Sequence, residues 1–247
     1  VSRTYPSGTS STTNGYTSGG WYTTPYSNVI DKFSFSSDGN ATDVGDLTGI
    51  KGRMSGQSST THGYGSGDNN SSTTIERWSF SSDGNASDVG DLSVGRKAGA
   101  GQTSATHGYT SGGNSGSYSN VIDRYSFASE GTALDVGDLT LARERLGGQS
   151  SADYGYSTGG LLGPYSNVID KFAFSSSSNA TDVGDITQII YGKSGQSSTT
   201  HGYASGGNTG GGSASNVIDK FDFSSDGNAT DIANLTVGRT NAAGHQY

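Results

Sequence analysis

One unit of sequence recurs five times along the 247 residues, and this repetition constrains the fold more than any other feature of the chain. The segment GYTSGG at Gly15 returns, with small changes, at Gly63, Gly108, Gly155 and Gly202. The segment NVIDKFSF at Asn28 returns at Thr73, Asn120, Asn167 and Asn216, and ATDVGDL at Ala41 returns at Ala86, Ala133, Ala180 and Ala229. Taking the glycine of the G-Q-S-S-type segment as origin, units start near Gly8, Gly56, Gly101, Gly148 and Gly195, and the same glycine appears once more at Gly244. The spacings are 48, 45, 47, 47 and 49 residues, and the stretch between the glycine pair and the N-V-I-D segment holds 7, 4, 6, 6 and 8. Each spacing less its stretch leaves 41, so one loop per unit absorbs all the length variation.

Each unit reads as four short strands. G-Q-S-S is the first and Y-T-S-G-G the second, with a tight T-H-G turn between them. The variable loop follows, then N-V-I-D-K-F-S-F as a third strand rich in β-branched and aromatic residues. S-S-D-G-N carries an Asp-Gly hairpin signal before the fourth strand, A-T-D-V-G-D-L. No segment shows the 3.6-residue apolar period of a helix. Units of four strands and about 47 residues match propeller blades. The expectation is a single all-β domain over 1–247, a closed five-bladed β-propeller of four-stranded blades. Adjacent apolar residues such as Val29 and Ile30 point to opposite faces, as a blade packed on both sides requires. An open solenoid is the rival arrangement, but its end units would need polar caps that this sequence lacks.

Composition agrees with thin stacked elements. Val, Ile, Leu and Phe make up about 15% of the chain, below the level at which disorder is suspected. The 41 glycines, 14 tyrosines and modest net charge of -8 argue instead for many narrow strands. No apolar run approaches the ~18 residues of a membrane span. With no cysteine there is no disulfide, thiolate site or thiol nucleophile, and an acidic balance without a basic stripe argues against a nucleic-acid partner. The absence of an initiator Met and of a basic-then-apolar leader points to a processed piece or a fragment of a longer tandem.

The chain resembles the kelch repeat family over nearly its whole length. The resemblance rests on Gly19-Gly20, Asp31, Phe33, Leu47 and Lys51 in the first unit, and on Gly112-Gly113, Asp123, Tyr125, Leu139 and Arg143 in the third. It departs where the family carries a tryptophan near the fourth strand, since alanine stands at 41, 86, 133, 180 and 229. The near-verbatim NVIDKFSFSSDGNATDVGDLT also resembles the repeats of tail-associated proteins of marine bacteriophages. That resemblance implies an extracellular virion component, tail- or capsid-associated.

Several residue groups invite chemistry. Asn14, His62, His107, Tyr154 and His201 precede the Gly-Tyr pair. Two of these five positions lack an imidazole, so the group reads as turn-stabilising rather than as a zinc site, which needs three or four ligands. Asp38, Asn40, Asp43 and Asp46 do not follow the alternation of a calcium loop, and Ser177 replaces the first of them in the fourth unit. No metal or other cofactor is expected. The acids Asp31, Glu76, Asp123, Asp170 and Asp219 sit on a packed face and call for partners. Lys51, Arg96, Arg143 and Arg239, with Arg3 in the other copy, are the natural ones, and Ile190 interrupts the series. Fivefold repetition marks these as scaffold. The copper oxidase sharing the propeller fold needs a Tyr–Cys crosslink, and sialidase-type propellers need an arginine cluster and an Asp-box, so no enzyme is expected.

What remains is binding or structure. The variable loops fall on one face of the ring and carry the unrepeated bulky residues: Trp21, Tyr22 and Tyr26 in the first, Tyr118 in the third, and Leu161, Leu162 and Tyr165 in the fourth. Loops on a rigid scaffold are where function concentrates, and aromatic faces bordered by Ser, Asn and Gly suit sugar rings. The leading expectation is a non-enzymatic virion protein that contacts a host-surface glycan or a neighbouring virion protein. A secreted or cell-surface bacterial adhesin is the alternative. Finally, residues 1–11 and 237–247 are two copies of one segment. They should compete for a single innermost strand, leaving the surplus copy available to a neighbouring molecule in a homo-oligomer.

Overall fold

The computed structural model describes residues 3–21 and 26–244, and Tyr22 lies outside them. Twenty strands, numbered in chain order, form five four-stranded antiparallel blades of a β-propeller, with no helix among the described residues. Blade one comprises β1 (Ser7–Ser10), β2 (Asn14–Ser18), β3 (Val29–Ser34) and β4 (Thr42–Asp46), and pairs them in that order. Blade five comprises β17 (Ser194–Ser197), β18 (His201–Ser205), β19 (Val217–Asp222) and β20 (Thr230–Asn234). The innermost strands of the other three are β5 (Ser55–Ser58), β9 (Ala100–Thr103) and β13 (Gly147–Ser150).

Small residues allow these inner strands to converge. A Cβ on Gly56 would overlap the carbonyl of Gly8, and Gly101, Gly148 and Gly195 meet the preceding inner strand in the same way. The series continues past the fifth blade: Gly244 lies against the carbonyl of Gly195, and Gly8 against that of Gly244. The inner ring therefore has six positions, and residues 242–244 supply the sixth. A cycle of six backbone hydrogen bonds runs beside it. Arg53 N donates to Tyr5 O, Ala98 to Arg53, Arg145 to Ala98, Gly192 to Arg145, Asn241 to Gly192, and Tyr5 N back to Asn241 O, over 2.6–3.1 Å. The two terminal copies thus do not compete. The first leads into β1, and the second closes the ring between β17 and β1 within the same chain.

The core lies between blades. Four hydrophobic clusters occupy the four interfaces of consecutive blades. In each, a second-strand tyrosine stacks on a phenylalanine of the next blade: Tyr16 on Phe80, Tyr64 on Phe127, Tyr109 on Phe174 and Tyr156 on Phe223, at 4.7–4.9 Å between ring centroids. The glycine of the H-G-Y segment is required by close approach, since a side chain on Gly108 or Gly155 would strike the ring of Tyr125 or Phe172.

Polar contacts fasten the same interfaces. Arg96 donates to Asp123 at 2.7 Å, and Arg143 contacts Asp170 at 3.1 Å, all four side chains being fully buried. Lys51 pairs with Glu76, and Arg3, in the segment entering the first blade and outside these four interfaces, pairs with Asp31 of that blade. The fourth unit, where Ile190 interrupts the basic series, also keeps its pair. Lys193, three residues further on, reaches Asp219 at 2.7 Å, while Ile190 is fully buried in the hydrophobic cluster. Burial pulls Arg96, Arg143 and Lys193 below their ordinary values, opposed by the neighbouring aspartates. Inner-strand glutamines form the second fastening: Gln57, Gln102 and Gln149 donate to the carbonyls of Tyr109, Tyr156 and Tyr203 in the next blade, at 2.8–3.0 Å.

Candidate recognition face

In a four-strand meander, the loops between second and third strands share one face of the ring with the connectors entering each blade. Here the loops are tied to those connectors by isolated β-bridges, Thr4 to Trp21, Lys97 to Asn114, Glu144 to Leu161 and Tyr191 to Asn208. The six residues of the hydrogen-bond cycle lie on this face, around the axis. All take left-handed backbone conformations, φ 56–70°, and five of them are not glycine. Such residues are uncommon and hold the αL state at some cost. The cycle offsets it by satisfying their backbone groups.

The side chains of this cycle gather charge and aromatic surface near the axis. The Arg53 guanidinium lies 4.5 Å from the Tyr5 ring centroid. Arg145 lies 5.8 Å from the same ring and 5.3 Å from that of Tyr191. Tyr165 meets Tyr191 at 4.9 Å, and Arg145 pairs with Glu144 at 3.3 Å. Stacked guanidinium and tyrosine faces offer a flat, rigid platform with hydrogen-bond donors at its edge.

The expected contact residues divide into two groups. Trp21 and Tyr118 are 44% and 37% exposed, as contact residues must be. Tyr26 and Tyr165 turn inward, Tyr26 over Gly52 and Tyr165 over Gly210 of the next blade's loop. Leu161 is half-buried and pairs with Tyr165, and Leu162 is half-buried beside it. Tyr5, Arg53, Arg145 and Tyr191 escaped the sequence reading because they lie outside the variable loops. The first three of them do carry a signal. The third residue before each origin glycine reads Tyr5, Arg53, Ala98, Arg145, Gly192 and Asn241, a variable column among repeated neighbours.

The opposite face opens as a funnel of about 590 Å³ lined, among the described residues, by serine, threonine and alanine of the first turns. Its rim turns are internally braced: His62 and His107 hydrogen-bond through Nδ1 to the preceding threonine hydroxyl at 2.8 Å. Burial lowers both imidazoles below their usual value, helped by Arg77 and Arg124. Asp43 is engaged by the amide of Gly45, and Asn85 accepts from Asp46 N of the previous blade, so these residues of the acidic segment staple backbone. No three His, Cys, Asp or Glu side chains among the described residues gather as a metal site. Neither a protein-family model nor any curated protein matches the chain.

Proposed function

We propose that this propeller is a non-catalytic contact module of a virion, tail- or capsid-associated, whose variable-loop face binds a host-surface glycan or a neighbouring virion protein. One observation carries the reading: exposed Trp21 and Tyr118 flank an axial platform of Arg53, Arg145, Tyr5 and Tyr191, and β-bridges anchor the first, third, fourth and fifth loops beside it. A rigid base spares the ordering entropy that binding otherwise incurs, and Trp, Tyr and Arg lead the residues that carry binding energy. The virion setting is supported by the style of the repeats. A glycan array and a pull-down against virion proteins identify the ligand. Trp21→Ala with Tyr118→Ala then weakens that binding about tenfold or more and leaves the melting temperature unchanged. Unaltered binding, or loss of binding together with stability, would overturn the assignment of this face.

A further inference from the structure

The ring has six inner positions but five complete blades. Among the described residues, the sixth position holds residues 242–244 and none of the second, third and fourth strands that accompany β1, β5, β9, β13 and β17. Each side of this seam presents the unmatched half of a contact made at every other interface. On the fifth-blade side, Arg239 is exposed and makes no ion pair among the described residues, whereas the equivalent Arg96 and Arg143 are buried against aspartates. Among the described residues the Gln196 side chain bonds Ser205 of its own blade and no other. Among the described residues Tyr203 stacks on no phenylalanine of a following blade, and every residue of β20 is exposed. On the first-blade side, Phe35 is 46% exposed and, among the described residues, meets the ring of Phe33 and stacks under no tyrosine, although its four counterparts each stack under a tyrosine of the preceding blade. Ala41 is exposed, whereas Ala133, Ala180 and Ala229 are buried and donate through N–H to the preceding blade.

We infer that this seam is the seat of one further three-stranded unit of the same repeat, joined to residues 242–244 by the tight turn that joins first to second strand in the other blades. The complementarity is specific. The unit's third-strand aspartate meets Arg239, its second-strand tyrosine receives Phe35, and its phenylalanine covers Tyr203. Its second-strand backbone accepts from Gln196. The covalent route follows from the inner segment, which already lies in register between β17 and β1. The inference is independent of what the loop face binds.

The test continues the chain after Gly244 with a second copy of residues 196–236. The extended protein should melt about 5 °C or more higher. Amide exchange of β3, β4 and β20 should slow about a hundredfold. Arg239→Ala should then lower the melting temperature of the extended protein and leave that of the original unmoved. Changing the added unit's third-strand aspartate to asparagine should reproduce the loss. An appended unit that exchanges freely, equal effects of Arg239→Ala in both proteins, or seam protection gained in the original chain only as it dimerises with concentration would each overturn the inference.

Discussion

The interface between the third and fourth blades and the seam between the fifth and first are built from the same repeat, yet one is closed and the other open. At the closed interface Arg143, Asp170 and Gln102 are fully buried and Tyr109 stacks on Phe174 at 4.7 Å. At the seam the corresponding Arg239 and Phe35 are exposed, and among the described residues the Gln196 side chain reaches no further than its own blade. The residue types are the same, so the contrast separates intrinsic strand formation from blade packing. β20 pairs with β19 in the register used elsewhere although all its side chains are exposed. The backbone ladder and the six-position inner ring therefore define a blade, and the lateral contacts only fasten it to its neighbour.

The largest expected difference tests the buried ion pair. Arg143→Ala leaves the Asp170 carboxylate buried with only the Thr140 hydroxyl and amide as donors. Stranding a buried charge costs about 3–5 kcal/mol, which urea denaturation should register, whereas Arg239→Ala at the seam should stay within about 0.5 kcal/mol. Arg143→Met with Asp170→Leu should recover most of the loss, since Arg143 Nε and Nη1 are themselves buried without partners. Equal costs at 143 and 239 would refute the view that the seam is open.

A smaller effect is expected for the glutamines. Gln149 Nε2 donates to Tyr203 O at 2.9 Å and to Thr158 Oγ1 at 3.1 Å. Gln149→Ala should lower stability by about 1–3 kcal/mol, because the removed donor leaves buried acceptors unsatisfied. Gln196→Ala should cost less than about 1 kcal/mol. A ratio near one, measured by parallel melts, would mean that the glutamines act within their own blades and do not fasten neighbours.

Much of this was legible in the sequence. The spacing of the glycines and the constant 41 positions specify five four-stranded units, because each strand repeats its own apolar and turn pattern. The acid–base partnership was also legible, except that an alignment by column sees Ile190 and cannot see that Lys193 reaches the same aspartate from three residues away. The number of ring positions was not legible. It depends on the wedge angle between blades, which arises from inter-blade packing such as the tyrosine–phenylalanine stacks, and no single unit encodes it. The candidate recognition face was half legible. Trp21 and Tyr118, both exposed, lie where length varies. The axial Arg53, Arg145, Tyr5 and Tyr191 vary in identity alone, at positions whose spacing never changes.

The smallest expected effect concerns pH and the turn imidazoles. His62 and His107 brace the first turns of the second and third blades, both set between closed interfaces, whereas the first blade, bordering the seam, carries Asn14 there. Asn14 serves the same turn by accepting from Thr13 Oγ1 at 2.8 Å and takes up no proton at mild acidity. Burial, and secondarily the cations Arg77 and Arg124, lower both imidazoles from the 6.5 of the unfolded chain. As pH falls below 6.5 the unfolded chain therefore binds protons that the folded turns resist. The associated stability is fully present above 6.5 and is lost as pH descends through the lower folded values. His62→Asn with His107→Asn should accordingly flatten the decline of melting temperature between about pH 6.5 and 5, with little change at pH 8. An unchanged slope would mean that the carboxylates alone govern the acid limb, and a drop at pH 8 would mean that asparagine cannot replace histidine in turns enclosed by neighbouring blades.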